Sequence, residues 1–175
     1  VTAELTLHDR AAFERAIELA LQAEHEGNLP IGCVICRGKT IIAEGRNSIW
    51  APEFAPHRHA EMAALESLSK NDRASPDDLI LYTTLEPCLM CAGAISLYKI
   101  GRVLFGSVDP IGGAVAGVDQ LPPFFARRRV HAEWVGPVMP EACDALYERT
   151  VALIRERDRQ LDGGPVASRD QGGEP

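Results

Sequence analysis

Two short segments carry side chains that bind metals and move protons: His59-Ala60-Glu61, and Pro87-Cys88-Leu89-Met90-Cys91. Each stands where the local pattern predicts the start of a helix. Two cysteines three apart share one helix face, and the free N–H groups and dipole at a helix N-terminus lower thiol pKa, favouring the thiolates a metal needs. One imidazole and two thiolates suit zinc, and three protein ligands leave a fourth tetrahedral position open for water, the mark of a catalytic site. Zinc lowers the pKa of bound water from ~16 toward ~7, yet hydrolysis still needs a group to take and return protons. Glu61, two residues from His59, is the candidate. Its carboxylate would accept the water proton, protonate the ring nitrogen of an amidine-like substrate, and then protonate the departing amine. The products would be a carbonyl and ammonia.

Plainer readings stand beside these. His59 alone reads as an ordinary surface or core histidine, and Cys88 and Cys91 alone as small buried residues or a redox pair. A structural zinc would want a fourth protein ligand, which His57 could supply. Cys33 and Cys36 repeat the C-x-x-C string on a predicted strand. Residues three apart on a strand point to opposite faces, so this pair is expected to pack in the core rather than share an ion. Cys143 reads as an inert helix residue, and Glu86 as a solvated or helix-start charge.

The elements that must position these groups follow from periodicity. Residues 9–26 place Phe13, Ile17, Ala20 and Leu21 at helical spacing, with Asp9 as the expected N-cap and Gly27-Asn28 as the stop. IGCVIC (31–36) and TIIAEG (40–45), joined by Arg37-Gly38-Lys39, read as a hairpin. A loop over 46–57 leads to a helix over 58–69, with Met62, Leu65 and Leu68 in register. A turn-rich connector, NDRASPDD, precedes a strand at 79–83, and Pro87 sits where the next helix can begin. Further strands are expected over 102–108 and 128–135, separated by a Gly/Pro loop over 109–125. A last helix is expected from about Pro140 to Gln160, with Ala142, Leu146, Val151 and Ile154 as its apolar stripe. Strands alternating with helices predict an α/β fold, a three-layer α/β/α sandwich around a central mixed five-stranded sheet. One domain over 1–160 and a disordered tail over 161–175 complete the expectation.

The order H-x-E…P-C-x-x-C resembles the cytidine and deoxycytidylate deaminase superfamily. LYTTLEPCLMCAGAISLYKIGRVLFGSVDP (81–110) is similar to the core of tRNA adenosine deaminases and fungal-type cytosine deaminases, while LPIGCVI (29–35) and EGRNSIW (44–50) fit their opening strands. The resemblance implies a cytidine deaminase-like fold and one Zn2+ per chain on His59, Cys88 and Cys91, with Glu61 as proton shuttle. It also implies that Asn47 contacts the substrate base and that the Ala60 and Cys88 N–H groups face the reacting centre. Asp109 falls where adenosine editors contact their nucleotide, and a homodimer or higher oligomer is expected. As plain sequence, Asn47 also suits a strand-end turn and Asp109, before Pro110, a turn. The editors' D-P-T-A-H-A-E becomes Ala55-Pro56-His57-Arg58-His59-Ala60-Glu61 here, keeping the proline and the zinc motif but losing the acid, the threonine and a small residue. Their basic C-terminal helix is mixed here, with Arg149, Arg155, Arg157 and Arg159 among Glu148, Glu156 and Asp158.

With 46% hydrophobic and 25% charged residues, the chain is read as globular rather than disordered or fibrous. No stretch approaches the ~20 apolar residues of a membrane span, and VTAELTLHDR lacks the basic-then-apolar order of a signal peptide. A cytoplasmic location with five reduced cysteines is therefore expected. A net charge of -7 repels polyanions, which disfavours tRNA as a partner. Arg127, Arg128 and Arg129 read as a solvated strand entry or a phosphate contact. Phe124 and Phe125 read as core anchors, a lid or an oligomer contact. Three functions are open: hydrolytic deamination of a small nucleobase- or nucleoside-like heterocycle of cytosine or adenine type; deamination of a tRNA wobble adenosine; and a silent zinc-stabilised interaction module.

Overall fold

Small residues set how closely the first helix approaches the sheet. In the computed structural model, which describes residues 5–72, 78–120, 122–125 and 132–162, helix α1 (Leu7–His25) buries Ala12, Phe13, Ala16, Leu19, Ala20 and Ala23. Leu21, expected in this stripe, is instead 46% exposed, because the alanine-rich face is the one that lets the helix lie close to the strands. Asp9 is not the N-cap either. Thr6 holds that position and accepts from the Asp9 N–H at 3.1 Å, while Asp9 Oδ2 accepts from the Thr6 N–H at 2.8 Å. This reciprocal capping box satisfies two of the amides that a helix start leaves open. The other Asp9 oxygen reaches across the core to accept from the Tyr82 hydroxyl at 2.7 Å.

The hairpin forms as expected, from β1 (Gly32–Arg37) and β2 (Thr40–Arg46). With β3 (Leu79–Leu85), β4 (Arg102–Ser107) and β5 (Glu133–Val135) they make one mixed sheet in the order β2-β1-β3-β4-β5. β1 is antiparallel to both β2 and β3, whereas β3, β4 and β5 run parallel. Of the strand expected over 128–135, Glu133–Val135 form β5, and 128–131 are not described. Residues 126–131, including Arg127, Arg128 and Arg129, lie outside the described residues, as do 73–77 and the tail from 163 onward.

The two cysteines of the hairpin separate as strand alternation requires. Cys33 joins Ala64, Leu65, Leu81 and Ile95 in one cluster, and Cys36 joins Phe13, Ala16, Val34 and Tyr82 in another. The sheet stands between α1 on one side and α2 (Ala60–Ser67) with α3 (Leu89–Tyr98) on the other. The last helix, α4 (Pro140–Asp162), packs on β3 and β4 and is tied to α1 by an Arg149–Glu24 ion pair at 2.9 Å. Its buried residues are Cys143, Leu146 and Thr150, so the face is rotated from the expected stripe, and Ile154 is 39% exposed. Among the described residues no helix is long and apolar enough to cross a membrane.

Candidate metal centre

The sheet delivers both motifs to one place through two uncapped helix starts. A Cβ on Gly45 in β2 would run into the Ala60 carbonyl and the Ala64 amide, so only glycine lets the first turns of α2 sit this close to the strand. That contact fixes the N-terminus of α2 on the sheet. Its N-cap is His59, and the N-cap of α3 is Cys88; neither side chain makes a capping hydrogen bond. An N-cap ordinarily offers a side-chain oxygen to the first amides. Here the two cap side chains face each other. The helix expected to begin at Pro87 begins two residues later, with Cys88 as the cap and Leu89 as the first helical residue.

His59 Nδ1 lies 3.6 Å from both Cys88 Sγ and Cys91 Sγ. All three ligand atoms fall within 4.8 Å of one another. Ligands at about 2.0 Å for nitrogen and 2.3 Å for sulfur around a tetrahedral zinc would stand about 3.5–3.8 Å apart, so the nitrogen–sulfur separations fit zinc without rearrangement. His57 is exposed and stands outside this group, which removes the fourth protein ligand that a closed structural site would need. His57 instead lines a separate cavity of about 620 Å³ with Ser48, Arg58 and Glu66. That cavity contains none of the clustered ligands, so the donor chemistry, not the cavity size, locates the site.

Charge at the cluster follows from these contacts. A hydrogen bond from the Cys91 thiol, and then one from His59, pulls Cys88 down to about 4 against the effect of burial. The start of α3 adds the positive end of its dipole. Cys91, as the donor to Cys88 and fully buried, is pushed up. His59 is raised by its hydrogen bond with Cys88, outweighing burial.

Glu61 is 3% exposed and directly behind the ligands. Its Oε1 accepts from Thr83 Oγ1 at 3.3 Å and its Oε2 lies 3.5 Å from Cys91 Sγ. Burial pushes its carboxyl up, against the lowering effects of its own backbone amide and of His59. Thr83 was not singled out in the sequence, since a threonine on a buried strand carries no signal of its own.

Asn47 is fully buried after β2; its Oδ1 accepts from the Ile49 N–H at 3.3 Å, and its Nδ2 has no partner among the described residues. Ser48 N donates to Arg58 O at 3.0 Å, which lays the residue after Asn47 beside the one before His59. Ala60 is buried as the first residue of α2. Asp109 Oδ1 accepts from the Ile111 and Gly112 N–H groups at 3.0 and 2.9 Å. Glu86, expected as a solvated or helix-start charge, is not solvated: it is 8% exposed and accepts from the backbone N–H groups of Asp109 and Val115. Phe124 and Phe125 pack edge to face at 5.2 Å.

Comparison with known proteins agrees with this geometry. The model of the cytidine and deoxycytidylate deaminase zinc-binding region matches residues 7–107. The tRNA-specific adenosine deaminase of Bacillus subtilis is 33% identical over 153 residues, covering 86% of this chain and 93% of its own. The cytosine deaminase of Candida albicans is 36% identical, covering 58% of this chain and 68% of its own. The tRNA-specific adenosine deaminase 2 of Xenopus tropicalis is 37% identical over 54% of this chain, and the chain spans only 59% of that relative's length. A solved structure from a study of A-to-I editing by tRNA:A34 deaminases superposes with a TM-score of 0.57 at 33% identity, covering 65% of this chain and 90% of its own. A guanine deaminase from Nitrosomonas europaea shares the fold, with a TM-score of 0.64 at 20% identity over 85% and 86% of the two chains.

Proposed function

Because the chain belongs to the cytidine and deoxycytidylate deaminase family, we propose that it is a zinc-dependent hydrolytic deaminase acting on a small nucleobase- or nucleoside-like heterocycle of cytosine or adenine type. The observation that carries this reading is a three-donor metal cluster with a buried carboxylate against it. His59, Cys88 and Cys91 would hold zinc, which when bound would supply the Lewis acidity that makes water nucleophilic near neutral pH. Glu61 does the proton work, passing one proton of the attacking water to the ring nitrogen beside the amine-bearing carbon, then taking the second from the resulting C–OH as the carbonyl forms and giving it to the leaving amine. The water oxygen becomes the product carbonyl, and the broken C–N bond releases ammonia. Asn47 offers its unpartnered Nδ2 to the substrate ring. The Ala60 and Cys88 amides face the reacting carbon, and Asp109 borders the far side of the substrate. A silent zinc module has no use for a buried carboxylate placed in this way.

The small-molecule reading rests on the surface beside Asp109. There a cavity of about 310 Å³ is lined by Ile111, Tyr147, Val151, Ile154 and Arg155. The arginines of α4 are largely engaged within the chain: Arg149 pairs with Glu24, Arg159 with Glu156, and Arg157 sits 4.8 Å over the Trp50 ring. Such a face offers little to a phosphate backbone. A tRNA wobble adenosine is the second reading, favoured by the near full-length similarity to the Bacillus subtilis enzyme. Zinc-loaded protein should release ammonia from at least one member of a panel of free bases, nucleosides and related aminated heterocycles. Release from a tRNA anticodon stem-loop alone would overturn the small-molecule reading in favour of the second. The same proposal places the protein in the cytoplasm as a homodimer or larger oligomer, whose contact would cover Leu89, Met90 and Leu97, exposed on α3 by 62%, 37% and 50%. Sedimentation of a monomer would contradict the assembly.

A further inference from the structure

The chain between β4 and the 3-10 helix Val115–Gln120 is held from the inside by a single carboxylate. Glu86 sits between the end of β3 and Pro87, and its own N–H donates to the Ser107 carbonyl at 2.8 Å, which locks it to the end of β4. Its Oε2 accepts from the Asp109 N–H at 3.1 Å, and its Oε1 from the Val115 N–H at 3.0 Å. The two ends of the 109–115 loop thus converge on one side chain. Between them the loop folds onto itself, with Asp109 Oδ1 taking two amides and the Asp109 carbonyl taking the Gly113 N–H at 2.9 Å. The loop is also laid along the metal-ligand segment. Gly113 pairs with Cys88 in an isolated antiparallel bridge, and the Ala114 N–H donates to the Pro87 carbonyl at 3.0 Å. Gly113 has no space for a side chain, since a Cβ there would lie 2.5 Å from the Asp109 carbonyl oxygen and 2.6 Å from Glu86 Oε1.

We propose that Glu86 is a positioning residue, a buried carboxylate that fixes the 109–115 loop against Cys88 as one wall of the substrate pocket and so governs substrate affinity without touching substrate or metal. This rests on the deaminase reading above. The chemistry demands an acceptor pair at this position. Both groups facing Glu86 are backbone N–H donors, and hydrogen bonds from neutral donors to a buried ionised acceptor are stronger than those to a neutral one. A glutamine would turn an NH2 toward one of them and leave a buried donor opposed by a donor.

The test compares zinc-loaded wild type with Glu86→Gln and Gly113→Ala, the second striking the same contact from the loop side. Backbone amides of 109–115 should exchange with deuterium at least about tenfold faster in Glu86→Gln, as expected for a lost charge-assisted hydrogen bond. Exchange in α1 and β1 should stay unchanged, and zinc should remain at the wild-type content. On whichever substrate the panel identifies, KM should rise about tenfold or more while kcat moves by less than about threefold, the pattern of lost binding rather than lost chemistry. Unchanged loop exchange and unchanged KM would overturn the proposal. So would loss of zinc in a folded Glu86→Gln, or a fall in kcat alone, since either would put Glu86 at the metal or the reacting atoms. If Glu86→Gln does not fold, Gly113→Ala decides by the same split. A wild type that releases no ammonia from any substrate would sink the deaminase reading, and the exchange data would still report whether Glu86 holds the loop.

Discussion

Replacing Glu61 by glutamine separates proton transfer from metal binding. The substitution keeps the side chain's shape, and the amide oxygen can still accept from Thr83 Oγ1, now at 3.3 Å. His59, Cys88 and Cys91 are untouched, and none of the separations among their ligand atoms involves Glu61. The variant should therefore bind zinc as wild type does. What disappears is the group that exchanges protons with water, ring nitrogen and leaving amine. General acid–base catalysis by one positioned group contributes about 10²–10⁴ in rate, or about 2.7–5.4 kcal/mol of barrier. Because the missing interaction belongs to the transition state, the fall should appear in kcat with little change in KM. The assay is steady-state ammonia release on the best panel substrate, with zinc content by elemental analysis and thermal unfolding as controls. A Glu61→Gln enzyme that keeps its zinc and turns over within about threefold of wild type would refute the role, because the expected loss is at least about a hundredfold. Loss of zinc would refute it differently, by making Glu61 part of the metal's support.

Other predictions test the scaffold. Tyr82→Phe removes a buried hydrogen bond to Asp9 and should cost about 1.5–3 kcal/mol, or about 3–12 °C in Tm for a chain of this size. Burial raises the Asp9 carboxyl, but hydrogen bonds from Thr6 and Tyr82 outweigh this and hold it below its ordinary value. A depressed folded-state pKa contributes stability that is present above the unfolded value of about 3.9 and lost as pH falls through the folded one, so the Tm gap between Tyr82→Phe and wild type should be largest near pH 7 and narrow in acid. A gap independent of pH would place the loss in packing. Gly45→Ala should destabilise by about 1–3 kcal/mol through overpacking and weaken zinc retention on dialysis, because α2 must lift with His59 at its cap; unchanged retention would detach the site from this contact. Cys88→Ser should lose zinc while Cys33→Ser and Cys36→Ser keep it, and metal loss from either strand variant would contradict the separation of the two C-x-x-C pairs.

The ligand set was legible because its logic is local. His-x-Glu and Pro-Cys-x-x-Cys each sit at a helix start, the three-residue spacing puts Cys88 and Cys91 on one side, and strand alternation alone was enough to dismiss Cys33 and Cys36. The hairpin and the strands β3 and β4 followed from apolar runs and turn residues for the same reason. What stayed hidden depends on distant partners. Asp9 has the chemistry of an N-cap, and only the Thr6 contact and the reach to Tyr82 show that it is the third residue of the first helical turn instead. Glu86 looks like a surface charge beside a proline until the loop twenty-three residues on donates the Asp109 amide to it. The face of α4 was misplaced because its arginines and glutamates alternate nearly all round, so the buried side is the one that sets Cys143 against Gly106 of β4 and buries Leu146 and Thr150, rather than a clean apolar stripe.

Zinc removal and return, followed by ammonia and oxygen isotope together, bears most directly on hydrolysis at His59, Glu61, Cys88 and Cys91. In water enriched in oxygen-18, the loaded protein should place one labelled oxygen in the product for each ammonia released. A chelator should abolish both signals, and zinc added back at one ion per chain should restore both. Deamination that survives complete zinc removal, or a product carbonyl carrying unlabelled oxygen, would contradict the account.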